Sequence, residues 1–402
     1  MRPAAIILGA NFYTALGAIR SLGRRGVEVY ALDYHFPTAY ALASRYVKTK
    51  VLCPDINYDE KGLVDFLVEF GRGFKVKPVL MATSDSYALM VSRNASLLAG
   101  YYLFPALPEG LLEQIIDKKG LHELAEKHQL LAPKTYLVGP RTDPEEVAAN
   151  MPYPCIIKPA LSHMFVKVFR KKCLYANNRE ELLSALSTAL ESKLEVMVQE
   201  VIPGFDDQMY VYDLYVNREG RATHSLTAQK LRQFPINFGS STLTHHLYDD
   251  RLAAIGLDYF KRLNYRGYGE IEFKKHPKTG EFYLIEINAR LSTLNILFDK
   301  CGVEFTYAMY CDLIGEPIPD YHLTEDQPWA FWHFYEDLIS VSAYLRTKQL
   351  TLSQVIKPWL SHRKAHAILA ADDLMPLFAF TRVILSKAIA KIRRIITGSS
   401  NL

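Results

Sequence analysis

The apolar pattern along residues 4–33 changes period twice. "AAIILGA" is a short unbroken apolar run closing on an alanine after Gly9. "YTALGAIRSLGRRG" has apolar positions three and four apart and stops at Gly26, and "VEVYALD" alternates and ends on Asp33. These periods predict strand, helix, strand, and a βαβ unit implies a parallel sheet. "KPVLMATSDSYALMVSRNASLL" at 77–98 repeats the pattern, so an open α/β domain is expected over 1–115. Further along, 115–138 reads as a helix, a Pro-bearing turn and a strand. "YPCIIKPA" (153–160) reads as a buried strand, and a further strand starts at Lys172. "REELLSALSTALES" (179–192) is an amphipathic helix, and "LEVMVQEVIPG" (194–204) is a strand running into a turn. From about 325 the chain turns aromatic and then basic-amphipathic, which predicts a helical extension.

In 267–290, "GYGEIEFKKHPKTGEFYLIEINAR", two strands flank a turn in which Pro277 and Gly280 occupy turn positions. Alternation puts Glu270, Glu272 and Lys274 on one face, and on the second strand Glu286, Asn288 and Arg290. Centring the hairpin near Thr279 sets Glu272 roughly across from Glu286. Facing carboxylates repel unless a cation lies between them. Two acids with an amide oxygen are hard donors of the kind that Mg²⁺ takes, and Mg²⁺ also binds substrate phosphates. Arg290 adds positive charge nearby. A surface hairpin with solvated acids fits the same pattern.

The lysines bear on that choice. Lys158 ends an otherwise apolar strand, where burial is costly without an anion. Lys118 and Lys172 are further candidates, although Lys119 and Lys171 beside them allow a solvated reading. The strand end at Gln199, Glu200, Val201 and Ile202 offers backbone groups and an acid to an adenine, and Asp206 could accept from a ribose hydroxyl. The first turn, "GANFYTALG", lacks the second glycine of G-x-G-x-x-G, so a structural turn is expected there rather than a dinucleotide site.

Bulk properties narrow the class. At 402 residues two or three domains are expected. Apolar content of 49% and charge of 22% fit a soluble globular chain, and a net charge of +4 gives no case for nucleic acid. Five scattered cysteines without metal spacing read as reduced, buried thiols, hence a cytoplasmic setting. "MRPAAIILGA" reads as a first strand and not as a leader. No run spans a bilayer; the nearest, 376–396, is broken by Arg and Lys. That basic amphipathic stretch either packs on the body or rests on an anionic membrane surface.

The order of these pieces resembles the ATP-grasp superfamily: "DK" at 117–118, "YPCIIKP" at 153–159, "QEVIPG" at 199–204, "EIEF" at 270–273 and "LIEINAR" at 284–290. "TSDSY" (83–87) and "QKLRQFP" (229–235) bring it nearest to carboxylate–amine ligases of the D-aspartate ligase and carbamoyl-phosphate synthetase type. The resemblance implies a mixed α/β and α+β chain. An open parallel pre-ATP-grasp domain (1–115) would precede a two-lobed ATP-grasp fold, with small lobe 116–193 and central lobe 194–324, and a C-terminal helical extension (325–402). It implies that ATP phosphates meet Lys118, Lys158 and Lys172, and that adenine meets the 199–202 segment, chiefly Glu200 and Ile202. Asp206 would hold the ribose, and Glu272, Glu286 and Asn288 would bind Mg²⁺ (or Mn²⁺). Arg290 would stabilise the transferring phosphoryl group, with Lys230 and Arg232 adding charge. The sequence departs from the family pattern at Ala289, often Pro, and between Lys158 and Lys172, where glycines of a lid are absent.

The implied reaction joins a small carboxylate to an amine through an acyl-phosphate, releasing ADP. A kinase or carboxylase on the same fold, or a nucleotide-binding regulatory protein without catalysis, would share these motifs. No Ser–His–Asp or Cys–His arrangement stands out, and His245–His246, adjacent on a strand, face opposite ways.

Overall fold

The computed structural model describes residues 2–159, 169, 173–237 and 239–397. Two compact units emerge: Met1–Pro108, Val211–Glu270 and Asn288–Leu402 form the first, and Glu109–Tyr210 with Ile271–Ile287 the second.

The first unit begins with a four-stranded parallel sheet, in the order Val47–Leu52, Val29–Asp33, Ala5–Leu8, Val79–Ala82. Both faces are covered, as parallel sheets require. Ala5 and Ile7 pack on the helix Tyr13–Arg24 through Leu16 and Ile19. Ile6 and Leu8 pack on the other side against Leu63 and Leu67 of the helix Glu60–Arg72. Each fully buried Ile or Leu here contributes roughly 2 kcal/mol. Gly9 ends the first strand at φ +83°, where an added Cβ would stand 2.8 Å from the Tyr87 ring. The glycine is therefore a packing and turn requirement. The edge strand Val47–Leu52 exposes Lys48 and Lys50, a charged edge that discourages pairing with other chains.

An eight-stranded sheet follows, in the order Phe282–Asn288, Gly267–Lys275, Met209–Val216, Ala222–Phe234, Ser240–His246, Trp329–Trp332, Arg363–His366, with Tyr321–His322 pairing in parallel with Ala222–Phe234. Residues 271–287 of its first two strands group with the second unit. The stretch from 325 onward is thus not purely helical. Trp329–Trp332 pairs antiparallel with Ser240–His246, and Arg363–His366 pairs in parallel with Trp329–Trp332. Three helices, Phe334–Arg346, Leu352–Ser361 and Met375–Thr397, fill the remainder. The extension is fastened to the N-terminal helix by a buried ion pair, Arg20 Nε to Asp373 Oδ2 at 2.9 Å. No helix among the described residues is long and apolar enough to cross a membrane, and all five cysteines are free.

The second unit holds a four-stranded antiparallel sheet in the order Thr135–Val138, Val196–Glu200, Cys155–Pro159, Leu174–Ala176. Alternation divides its faces. Cys155, Ile157, Val196 and Val198 form a core with Leu182 and Leu186 of the helix Arg179–Glu191. Thr135, Gln199 and Lys158 make a polar row on the other face. Helices Leu111–Ile116 and Lys118–Lys127 precede the sheet.

Candidate active site

In the second unit, Lys118 is the first residue of its helix because Asp117 caps it: the Asp117 carboxylate accepts from Gly120 N–H at 2.8 Å. The cap leaves the Lys118 side chain exposed. Lys158 is half-buried at the end of Cys155–Pro159, and its ammonium donates to Gln199 Oε1 at 2.8 Å. The Gln199 amide in turn donates to Thr135 Oγ1 at 3.1 Å, which fixes the amide so that its oxygen faces the lysine. Burial, and then the nearby Lys118 charge, hold Lys158 below the ordinary lysine range, while Glu286 pulls the other way. Lys118 and Glu286 therefore both lie within electrostatic reach of Lys158. A half-buried lysine with a second cation nearby favours an anion.

Glu200 accepts from Lys134 N–H at 3.1 Å, and its own N–H donates to Lys134 C=O at 2.8 Å; Val201 N–H donates to Pro154 C=O at 3.1 Å. The expectation that this strand end leaves those two N–H groups open is corrected. They tie the strand to its neighbours, and Ile202 beyond them is buried. Asp206 is buried in the short turn Asp206–Gln208. Its charge, with that of Asp207, opposes the burial that lowers Lys274. Lys274 is a cation for which the sequence pattern suggested no role. On the hairpin, Glu272 is half-buried and Glu286 exposed. The turn closes through His276 N–H to Glu281 C=O and Gly280 N–H to His276 C=O, both 2.8 Å.

The first unit holds Asn288, and here the sequence reading missed a residue. Asn288 is buried, and its Nδ2 donates to Glu270 Oε1 at 2.9 Å. Ser292 Oγ donates to the other Glu270 oxygen at 2.6 Å. Glu270, 4% exposed, is therefore not a solvated acid on a strand face. It is a buried carboxylate that orients the Asn288 amide. Asn288 Oδ1 accepts from Arg290 Nη2 at 3.0 Å, and Arg290 Nε pairs with Asp85 Oδ1 at 2.9 Å. Asp85, which position alone makes a candidate substrate contact, thus stands at the start of the helix Asp85–Arg93 as a partner of Arg290.

Lys230 and Arg232 do not share the face that simple alternation gives them. The strand register shifts between them, with Lys230 opposite Thr244 and Arg232 opposite Leu243, which is the effect of a bulge. Lys230 is buried. Arg232, 1% exposed, makes a two-pronged ion pair with Asp337, Nε to Oδ1 at 2.7 Å and Nη2 to Oδ2 at 2.8 Å. Trp332 and Trp359 indoles and the Thr242 hydroxyl also donate to Asp337. The guanidinium is engaged within the core, so its expected place over the phosphates is withdrawn. His245 and His246 do face opposite ways: His245 Nε2 meets Gln229 Oε1 at 2.8 Å, whereas His246 Nδ1 accepts from Gln327 N–H. Lys172 and the segment after Lys158 that would form a lid lie outside the described residues.

The all-oxygen set Glu272, Glu286 and Asn288 fits a hard divalent cation in its donor chemistry. Among the described residues no three His, Cys, Asp or Glu side chains gather into a metal-ligating group.

The chain is similar in sequence and fold to several known proteins. Residues 232–309 match the family model for the carbamoyl-phosphate synthase L chain, ATP binding domain. The chain is 27% identical over 339 residues to a D-aspartate ligase of Enterococcus faecium, covering 75% of this chain and 78% of that protein. It is 25% identical to a carbamoyl phosphate synthase large chain of Thermoanaerobacter pseudethanolicus, across 48% of this chain but 20% of that one. Among solved structures, the biotin carboxylase domain of Hydrogenobacter thermophilus 2-oxoglutarate carboxylase superposes with a TM-score of 0.62 at 15% identity, covering 82% of this chain and 74% of that one. The N5-carboxyaminoimidazole synthetase of Staphylococcus aureus gives 0.60 at 15% identity, covering 80% of each chain. In fold and sequence the chain resembles ATP-grasp proteins: it is similar to D-aspartate ligase and, within 232–309, to the ATP binding domain of the carbamoyl-phosphate synthase L chain.

Proposed function

We propose that this chain is an ATP-dependent carboxylate–amine ligase that forms an amide or peptide bond and releases ADP and phosphate. Similarity to D-aspartate ligase over three quarters of the chain supports the reaction class. The observation that carries the reading to the site is the grouping of Lys118, Lys158 and Glu286. A substrate carboxylate oxygen attacks the γ-phosphorus of ATP as the bond to the β-phosphate oxygen breaks, giving an acyl-phosphate and ADP. An amine nitrogen then attacks the activated carbonyl, the C–N bond forms and phosphate departs.

In this reading the protein contributes position and charge, and no covalent nucleophile. Lys118 and Lys158 hold the phosphates. Glu200 and Ile202 flank the adenine, and Asp206 serves the ribose. Arg290, held by Asp85, faces the acyl-phosphate. Glu272, Glu286 and Asn288 would hold Mg²⁺ or Mn²⁺, which as a Lewis acid supplies neutralisation of phosphate charge. Glu270 is a positioning residue for Asn288.

The test is an ADP-release screen of amino acids and other small carboxylates against amine acceptors, with mass analysis of the product. An amide product supports the ligase. A phosphorylated product with no amide makes the chain a kinase, and ATP binding with no turnover makes it regulatory. Two substitutions examine the site. Lys158→Ala is expected to weaken nucleotide binding about tenfold to hundredfold, the value of a charge-assisted contact. Lys119→Ala, exposed and near Glu123, should leave binding unchanged in the same titration. Equal losses would remove Lys158 from the phosphates. Glu270→Ala is expected to raise the Mg²⁺ concentration for half-maximal turnover by roughly tenfold or more, with metal-free nucleotide binding intact. A Mg²⁺ dependence like that of the unaltered protein would leave Glu270 with a folding role alone.

A further inference from the structure

We infer that the helix Met375–Thr397 and the start of Phe334–Arg346 form a docking face for a bilayer rich in anionic phospholipid. The final helix is seated by Phe380 and Leu377, which pack on the core, and by buried Val383. Phe378, Leu385 and Ile389 follow at intervals of seven and four, so they form one stripe on the opposite side. That stripe is 51–59% exposed, and every residue from 385 to 391 is exposed. The neighbouring helix adds exposed apolar side chains beside the seated edge of the final helix. The Tyr335 ring lies 6.2 Å from Phe380, and beside it Phe334 and Leu338 are 55% and 44% exposed.

Charge decides what covers this face. Residues 334–402 hold ten Lys and Arg against four acids, a net +6, so the preceding 333 residues carry −2 of the chain's +4. Asp372, Asp373 and Asp337 are paired with Arg24, Arg20 and Arg232, and Glu336 lies near Lys387. The helix 375–397 itself has five basic residues and no acid. A second copy docking by two-fold symmetry would set like charges together. An anionic lipid surface accepts both features, because the stripe enters the boundary of headgroup and acyl chain while Arg382 and Lys391 stay among the headgroups.

The test is sedimentation of the full chain with vesicles of phosphatidylcholine plus phosphatidylglycerol, and with phosphatidylcholine alone, at low and high salt. The chain is expected to sediment with the anionic vesicles at low salt, and less at high salt or on neutral lipid. Leu385→Glu with Ile389→Glu should cut the partition coefficient at least about tenfold, and Arg382→Gln with Lys391→Gln about fivefold per charge. Unchanged melting temperature and unchanged ADP release would show that fold and site survive the substitutions. A chain that stays in the supernatant with anionic vesicles at low salt overturns the inference. So does a Leu385→Glu, Ile389→Glu variant that partitions like the original. A concentration-dependent dimer that this variant dissolves, with no lipid binding, would make the face a self-contact instead.

Discussion

Glu286→Gln is expected to lower Mg²⁺-dependent ADP release by about a thousandfold, the scale of losing a preorganised charge at a reacting phosphate. The protein should remain folded, because Glu286 is exposed. Removing the charge also lightens the crowding of acids on the hairpin, so the melting temperature without metal should hold or rise. The informative pair of measurements is ADP release across a Mg²⁺ series and a thermal melt with and without the metal. The unaltered chain should gain stability from Mg²⁺ with nucleotide, by mass action on the folded state. The Glu286→Gln variant should gain far less. Turnover at the original rate would sink the metal role.

The largest stability effect is expected at Asp337. Asp337→Ala strips the buried Arg232 guanidinium of its ionic partner and leaves two indole N–H groups and a hydroxyl unmatched. Removing one member of a buried pair costs about 3–5 kcal/mol, which for a body of this size lowers the melting temperature by roughly 10 °C. Arg232→Met together with Asp337→Leu removes both charges and should be less damaging than Asp337→Ala alone. That double variant also separates the two readings of Arg232. If the guanidinium serves only the core, ADP release per folded molecule is retained. A loss comparable to that of Glu286→Gln would return Arg232 to the phosphates.

The opening βαβ unit was legible because its periods are clean and both sheet faces are covered locally. Ala5–Leu8, Tyr13–Arg24 and Val29–Asp33 lie where the pattern put them. The edge strand Val47–Leu52 was not, since "VKTKVL" carries solvated lysines where a core strand would carry apolar residues. Trp329–Trp332 was missed because four aromatic and small residues give no usable period, and its partner Ser240–His246 is about ninety residues away. At the site, local spacing revealed the hairpin residues but could not reveal long-range commitments. Arg232 finds Asp337 105 residues on, and Arg290 finds Asp85 205 residues back. Glu270 looked like one more acid on a face, because the two groups that bury it, Asn288 and Ser292, are fixed by the fold and not by the strand's period.

For the proposed metal role of Asn288, the clamp on it bears on the speed and selectivity of cation capture. A free asparagine samples several rotamers and can present either end of its amide, so a cation meeting it must wait for, and freeze, the right one. Here Glu270 holds the nitrogen end and Arg290 touches the oxygen end, and the loss of rotamer freedom is settled when the chain folds. On that proposal an arriving ion would take the second lone pair of an oxygen already fixed by Arg290, and the entropy of ordering would not weigh against it. The same rigidity sets a size limit. Mg²⁺ holds its ligands near 2.1 Å and Ca²⁺ at up to about 2.6 Å, and an amide gripped at both ends cannot retreat by half an ångström to admit the larger ion. Discrimination between the two would then come from the stiffness of a buried acid that never touches the metal.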